Sequence, residues 1–374
     1  MELWQEFLAS AIRTPAQLSR RFPGIDVEAM ERVAEVYPMC VTPYYLDLIR
    51  QLSDPIAKQC IPDPAELDSF GLVSDPLAEE SMSPVPCVVH RYPDRALFLV
   101  STQCAMYCRF CTRKRKVGTD WSVSEEMRRE GLAYIERTPE IRDVVVSGGD
   151  PLMLSDGLID SILSGLRRIP HVEVIRVGTR APCTLPQRIT PRLVNTLRKY
   201  HPLYVNTHFE HPRELTPEAV RALARLADAG IPLGNQSVLL RGVNDDPAVF
   251  LELNRRLLAA RVKPYYMFQA DLVDGTAHFC TPIETGLNVI RGLRGHTSGM
   301  AVPHFVIDSP GGGGKIPILP EEYVRREGRQ VILRNFRGHL HLYNDRAAEM
   351  GSVYEEFAGV PALVEEFEPL AAIG

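Results

Sequence analysis

From residue 96 onward, short runs of apolar residues alternate six times with stretches whose apolar residues recur every three or four positions. The runs fall at 96–100, 144–146, 172–177, 203–205, 231–240 and 263–268. Each is short enough for a strand and apolar enough to be buried. Between them, Leu158, Ile159, Ile162, Leu163 and Leu166 share one helical face, as do Leu193, Val194 and Leu197. Thr216-Pro217-Glu218 carries the cap, the first-turn proline and the acid of a helix start. Parallel strands need long crossovers, so the pattern predicts an α/β parallel sheet, either open or closed into a full or partial barrel. In either form, reactive groups belong at the C-terminal strand ends.

Before this region lies a stretch with helical spacing, such as Val27, Met30, Val33, Ala34 and Tyr37, or Tyr45, Leu48, Ile49 and Leu52, interrupted by prolines. A Pro- and Ser-rich passage at 81–86 ends it. The expected organisation is an N-terminal helical region at 1–89, the α/β barrel at 90–319 and a C-terminal extension at 320–374. The extension holds a strand pair around Val331-Ile332-Leu333 and His339-Leu340-His341-Leu342, then an acidic tail around Glu355 and Glu365. The net charge of −5 gives no broad attraction to nucleic acid or anionic lipid, and no apolar run reaches membrane length. The first ten residues lack a signal-peptide pattern, so the cytoplasm is the default location.

Eight cysteines are too few for a disulfide scaffold, but Cys104, Cys108 and Cys111 crowd into eight residues just after the first apolar run. Three soft ligands in one loop suit an iron–sulfur cluster or zinc. No fourth cysteine is near, and three ligands to a four-iron cluster would leave one iron open. The C-x3-C-x2-C loop resembles that of the radical S-adenosylmethionine superfamily. That resemblance implies a partial (β/α)6 barrel, a [4Fe-4S] cluster held by the three cysteines, and S-adenosylmethionine on the open iron. Ser147-Gly148-Gly149-Asp150 resembles the motif that contacts the methionine amino group in that superfamily.

Ser309-Pro310-Gly311-Gly312-Gly313-Gly314-Lys315 is not a nucleotide phosphate loop, because Ile316 follows the lysine and no helix pattern comes next. A glycine loop can let the backbone approach a ligand while a lysine amine condenses with an aldehyde. This segment is similar to the pyridoxal-phosphate lysine motif of the lysine 2,3-aminomutase family. The likeness extends to His90-Arg91-Tyr92-Pro93-Asp94-Arg95, Asn206-Thr207-His208-Phe209, 234–245 and 292–299. It implies that Lys315 holds pyridoxal 5′-phosphate, that Arg91 and Arg95 pair with its phosphate, and that Tyr92 positions it. Gln236 joins the cofactor-binding set, Arg113 takes the substrate carboxylate, and Asp271 and Asp308 take the substrate side-chain ammonium.

Opposite charges about 4 Å apart gain roughly 4 kcal/mol at an effective dielectric near 20, before desolvation. A carboxylate side chain would make that interaction repulsive. The resemblance thus implies movement of the α-amino group of L-lysine to its β-carbon, giving β-lysine. Arginine and ornithine are alternative cationic substrates, and glutamate is disfavoured. Two features depart from the family. No cysteine follows Cys280 and the segment Asn244-Asp245-Asp246 supplies none, so the family's structural zinc is expected to be absent. Phe268 stands where a tyrosine is expected. An external electron donor of flavodoxin or ferredoxin type and a homo-oligomer are implied. The rival class, an iron–sulfur electron carrier or a zinc-binding interaction protein, leaves Lys315, Arg91, Arg95 and the two aspartates without a role. His208 and His211 lack a third ligand at metal-site spacing, which points to a structural or site-lining role.

Overall fold

The computed structural model describes residues 2–68, 71–320, 322–327 and 330–344. They form two compact units, one up to Leu319 and one from Pro320. The first unit is built on a nine-stranded sheet whose spatial order follows the chain: β1 Val88–Tyr92, β2 Arg95–Ser101, β3 Asp143–Gly148, β4 Val174–Thr179, β5 Leu203–Thr207, β6 Leu233–Leu239, β7 Val262–Gln269, β8 His304–Ser309 and β9 Gly314–Pro317. Strands β2 to β8 pair in parallel, while β1 and β9 are antiparallel edges. This is a partial α/β barrel with six strand-then-helix units, and β8 follows the last of them.

Each of the six predicted runs is a strand. The crossover helices Glu125–Glu136, Asp156–Arg167, Pro191–Leu197, Pro217–Asp228 and Pro247–Ala259 start on Ser124, Ser155, Thr190, Thr216 and Asp246, whose side chains accept a first-turn N–H. Their apolar faces, for example Ile159, Ile162, Leu163 and Leu166, are buried against the sheet. Each such leucine contributes about 1.5–3 kcal/mol through burial.

Several of the strands are not apolar on both sides, in contrast to the reading of these runs as simply buried, although Leu97 and Val145 do face inward. Val144, Val146, Ile175, Val177 and Val205 are buried. The alternate residues Ser147, Arg176, Gly178, Asn206, Gly234 and Gln236 face an internal cavity of about 840 Å³. A closed barrel packs its interior with branched side chains. Here small and polar residues leave it hollow.

The N-terminal residues form short helices at Leu3–Ala9, Pro15–Ser19, Val27–Val36, Pro43–Leu46 and Pro55–Lys58. The helix expected over Tyr45–Leu52 stops at Leu46, where the Ile49 N–H bonds the Leu46 carbonyl in a tighter turn and the Arg50 N–H donates to Asp54 Oδ2 at 2.9 Å instead of continuing the helix. In the second unit, β10 Tyr323–Glu327, β11 Gln330–Arg334 and β12 Leu340–Asn344 form an antiparallel sheet that contains the expected strand pair. The acidic tail lies outside the described residues.

Candidate active site

The cysteine loop leaves the C-terminal end of β2 and is pinned by the end of β3. Gly149 N–H donates to the Ser101 carbonyl at 2.6 Å and Asp150 N–H to the Gln103 carbonyl at 2.7 Å. Gly148 has φ +128°, and a Cβ there would lie 2.2 Å from the Ser101 oxygen. The glycine pair therefore permits two backbones to touch. Asp150 accepts from Thr179 Oγ1 and from the N–H groups of Leu152 and Arg180, which occupies both carboxylate oxygens. Ser147 and the local backbone are what this run offers a ligand.

The other end of the loop is anchored in the N-terminal region. Arg109, between the second and third cysteines, donates to Glu66 through Nε at 2.8 Å and Nη2 at 2.5 Å, and to the Pro38 carbonyl at 2.9 Å. Lys114 Nζ donates to Glu66 at 2.6 Å and to the Gly275 carbonyl at 2.9 Å. Glu66 and Arg109 are almost fully buried. Burial pushes the Lys114 ammonium down to about 8, while its two cationic partners hold the Glu66 carboxyl below its usual range despite burial.

Lys315 sits at the open seam of the barrel. Gly311, Gly312 and Gly314 all have positive φ, so the glycine run is a fixed hairpin turn between β8 and β9 rather than the flexible loop its composition suggests. The antiparallel register sets Asp308 opposite Lys315. Lys315 Nζ lies 2.8 Å from Asp308 Oδ2 and 5.3 Å from the centre of the Phe268 ring. Tyr92 Oη accepts the Lys315 N–H at 2.9 Å, linking the two edge strands by a side chain. Arg91 Nη1 donates to Asp308 at 2.9 Å and Nη2 to the Leu77 carbonyl at 2.7 Å. Across the β1–β2 turn, Arg95 stacks 3.9 Å from the centre of the Tyr92 ring.

Asp271 follows β7 and faces the same cavity. Its carboxyl is pushed up to about 7, first by burial and second by the neighbouring Asp308, with Lys315 and Arg91 opposing. Arg113 is held by Glu79 through Nε at 3.0 Å and Nη2 at 2.6 Å and lines the same cavity. Gln236 and the half-buried His208 complete the wall. His208 Nδ1 lies 3.5 Å from the buried Glu210, and His211 caps a turn by accepting from the Arg213 N–H. Every residue assigned from the sequence to the cysteine, cofactor or substrate sets lines this one cavity, as does His208, whereas His211 does not. Three important neighbours were not named. Glu79 lies in a turn and carries no motif. Glu66 is one acid among many. Arg180 stands directly after β4, a position that the strand-end rule should have singled out.

A family model described as "Radical SAM superfamily" matches residues 98–253, and one described as "Lysine-2,3-aminomutase" matches residues 290–363. The chain is 50% identical to the L-lysine 2,3-aminomutase of Clostridium subterminale, over 91% of this chain and 84% of that one. It is 51% identical to the L-lysine 2,3-aminomutase of Methanococcus maripaludis, over 91% and 80%. It is also 44% identical to the glutamate 2,3-aminomutase of Clostridioides difficile, over 89% and 82%. The chain belongs to the lysine 2,3-aminomutase family. It is accordingly an isomerase of the radical S-adenosylmethionine superfamily.

Membership in the lysine 2,3-aminomutase family brings a [4Fe-4S] cluster, S-adenosylmethionine and pyridoxal 5′-phosphate. The donor sets present fit them. Cys104, Cys108 and Cys111 open onto the cavity, and burial raises the Cys104 and Cys111 thiols, so their thiolates call for a bound cation. Arg91 Nε is buried without a partner among the described residues, a donor left over for an anion such as phosphate. Among the described residues, no helix is long and apolar enough to cross a membrane.

Proposed function

We propose that the chain moves the α-amino group of L-lysine to the β-carbon, giving β-lysine. The observation that carries the choice of lysine is the pair Asp271 and Asp308 facing one cavity with Lys315 and the three cysteines. Asp271 is costly to ionise there, and a substrate ammonium between the two carboxylates relieves that cost. A glutamate side chain would add a third carboxylate to the same place.

When bound, the cluster with S-adenosylmethionine supplies hydrogen-atom abstraction, and the pyridoxal ring supplies a π system that spreads the unpaired electron. The protein supplies position and charge. Cys104, Cys108 and Cys111 hold the cluster at the end of β2. Ser147 and the Gly148-Gly149 backbone, with Gln236, line the S-adenosylmethionine side. Lys315 is the attachment point for pyridoxal phosphate, Arg91 and Arg95 bind its phosphate, and Tyr92 fixes the backbone at Lys315. Asp308 pairs with Lys315 Nζ in the cofactor-free protein, and once that nitrogen carries the cofactor Asp308 is available to the substrate ammonium beside Asp271. Arg113, oriented by Glu79, binds the substrate carboxylate. The hollow interior gathers these groups around one partly enclosed cavity, where charge contacts are stronger than in open water. We place residues 90–319 as the catalytic barrel, preceded by the helical region and followed by the extension from 320. An external one-electron donor, a homo-oligomer and a cytoplasmic setting complete the reading.

The test is anaerobic reconstitution with iron, sulfide and pyridoxal phosphate, followed by S-adenosylmethionine, reductant and isotopically labelled lysine, arginine, ornithine or glutamate. β-Lysine as the preferred product is expected. Preference for another β-amino acid would overturn the aspartate assignment. Deoxyadenosine without any amino migration would overturn the reaction.

A further inference from the structure

Arg180, directly after β4, is a buried arginine whose donors are almost all committed. Nη2 donates to Glu214 Oε1 at 2.9 Å and to Gln59 Oε1, Nε donates to the His208 carbonyl at 3.3 Å, and Nη1 donates to Cys108 Sγ at 2.9 Å. Four of the five N–H groups of a guanidinium are thereby used. Its side chain packs beside the Phe110 and Tyr45 rings, and its own N–H is held by Asp150. Glu214 is itself fixed. Its carboxylate accepts from Tyr45 Oη at 2.5 Å, from the Glu210 N–H at 2.6 Å and from the His211 N–H at 2.9 Å. The Glu214 charge makes the burial of Arg180 tolerable, and the fork geometry then aims the remaining corner at one cysteine sulfur.

We infer that Arg180 is a positioning residue for electron entry: its Nη1–H···Sγ bond to Cys108 makes the iron–sulfur cluster easier to reduce. The inference rests on the reading of Cys104, Cys108 and Cys111 as cluster ligands. Reduction adds one electron, delivered by the external donor, and so increases the negative charge on the iron and its thiolates. A cationic donor on a ligand sulfur interacts more strongly with that reduced state than with the oxidised one. Hydrogen bonds to sulfur and local charge are two of the factors that set cluster potentials. Arg180 does not need to touch the reacting carbon atoms to act this way.

The experiment is a potentiometric titration of anaerobically reconstituted protein, without S-adenosylmethionine, in which the reduced cluster is followed by electron paramagnetic resonance. Arg180→Gln is expected to keep the iron and sulfide content while the equilibrium constant for reduction falls about tenfold, equivalent to about 59 mV for one electron. Arg180→Lys retains the charge without the fixed fork and is expected to fall between the two. An unchanged potential in a fully loaded Arg180→Gln protein would overturn the inference. If Arg180→Gln takes up no cluster, Arg180→Lys decides: a wild-type potential overturns the inference, and a more negative one supports it. A wild-type protein that assembles no cluster would overturn the ligand assignment itself, and the inference with it.

Discussion

Asp271→Asn removes a carboxylate whose ionisation the cavity makes costly. Burial, with Asp308 as the second cause, raises the folded-state pKa of Asp271 from its ordinary 3.8 to about 7. At roughly 1.4 kcal/mol per unit, that displacement corresponds to about 4 kcal/mol. The sign follows from linkage: the folded state binds the proton more tightly than the unfolded state. The contribution of Asp271 to stability is therefore full below about pH 4 and is lost as the pH rises through 7. At pH 8.5 the neutral amide is expected to stabilise the cofactor-free protein by up to about 4 kcal/mol, and at pH 5 by under about 2 kcal/mol. Thermal melts of both proteins at the two pH values measure this difference. The same substitution should weaken lysine binding, since one of two counter-charges is gone, and raise the KM for lysine on the order of 10- to 100-fold. In the wild type, lysine KM should rise as the pH falls below 7, and in Asp271→Asn that dependence should disappear. A melting-temperature gain that is equal at pH 5 and 8.5, or no gain at either, would refute the argument that ionising Asp271 is what the site resists.

Lys315→Ala should leave the fold and the iron content in place but abolish the visible absorbance of bound pyridoxal phosphate and its trapping by borohydride. Arg113→Lys substitutes a point charge for a planar fork held by Glu79, so lysine KM is expected to rise more than tenfold; steady-state kinetics against lysine read the change. Glu66→Gln leaves Arg109 and Lys114 buried without their shared carboxylate. A loss of about 3–5 kcal/mol in denaturant unfolding is expected, with poorer iron uptake because the cysteine loop loses its anchor.

The spacing of apolar residues determined the parallel α/β sheet, because the periods of strand and helix are local properties of the backbone, whereas its curvature into a partial barrel was implied only by the family resemblance. All six predicted runs became strands, and Thr216 caps its helix as its sequence context implies. The three cysteines and the glycine-lysine run were legible for the same reason, since each brings its chemistry together within a few residues. Other features needed contacts between distant segments. Nothing local says that Ser147, Gly178, Asn206 and Gly234 face inward together and leave the barrel hollow. The glycine run reads as flexible by composition, yet the pairing of β8 with β9 makes it a fixed turn and sets Asp308 against Lys315. Glu79 on Arg113, Glu66 between Arg109 and Lys114, and Arg180 on Cys108 join residues 34 to 72 positions apart. The sequence by itself determined which chemistry the chain could hold. Only the tertiary structure decided how each charge is oriented and what it costs, because desolvation and charge pairing depend on which groups share a buried space and not on their order along the chain.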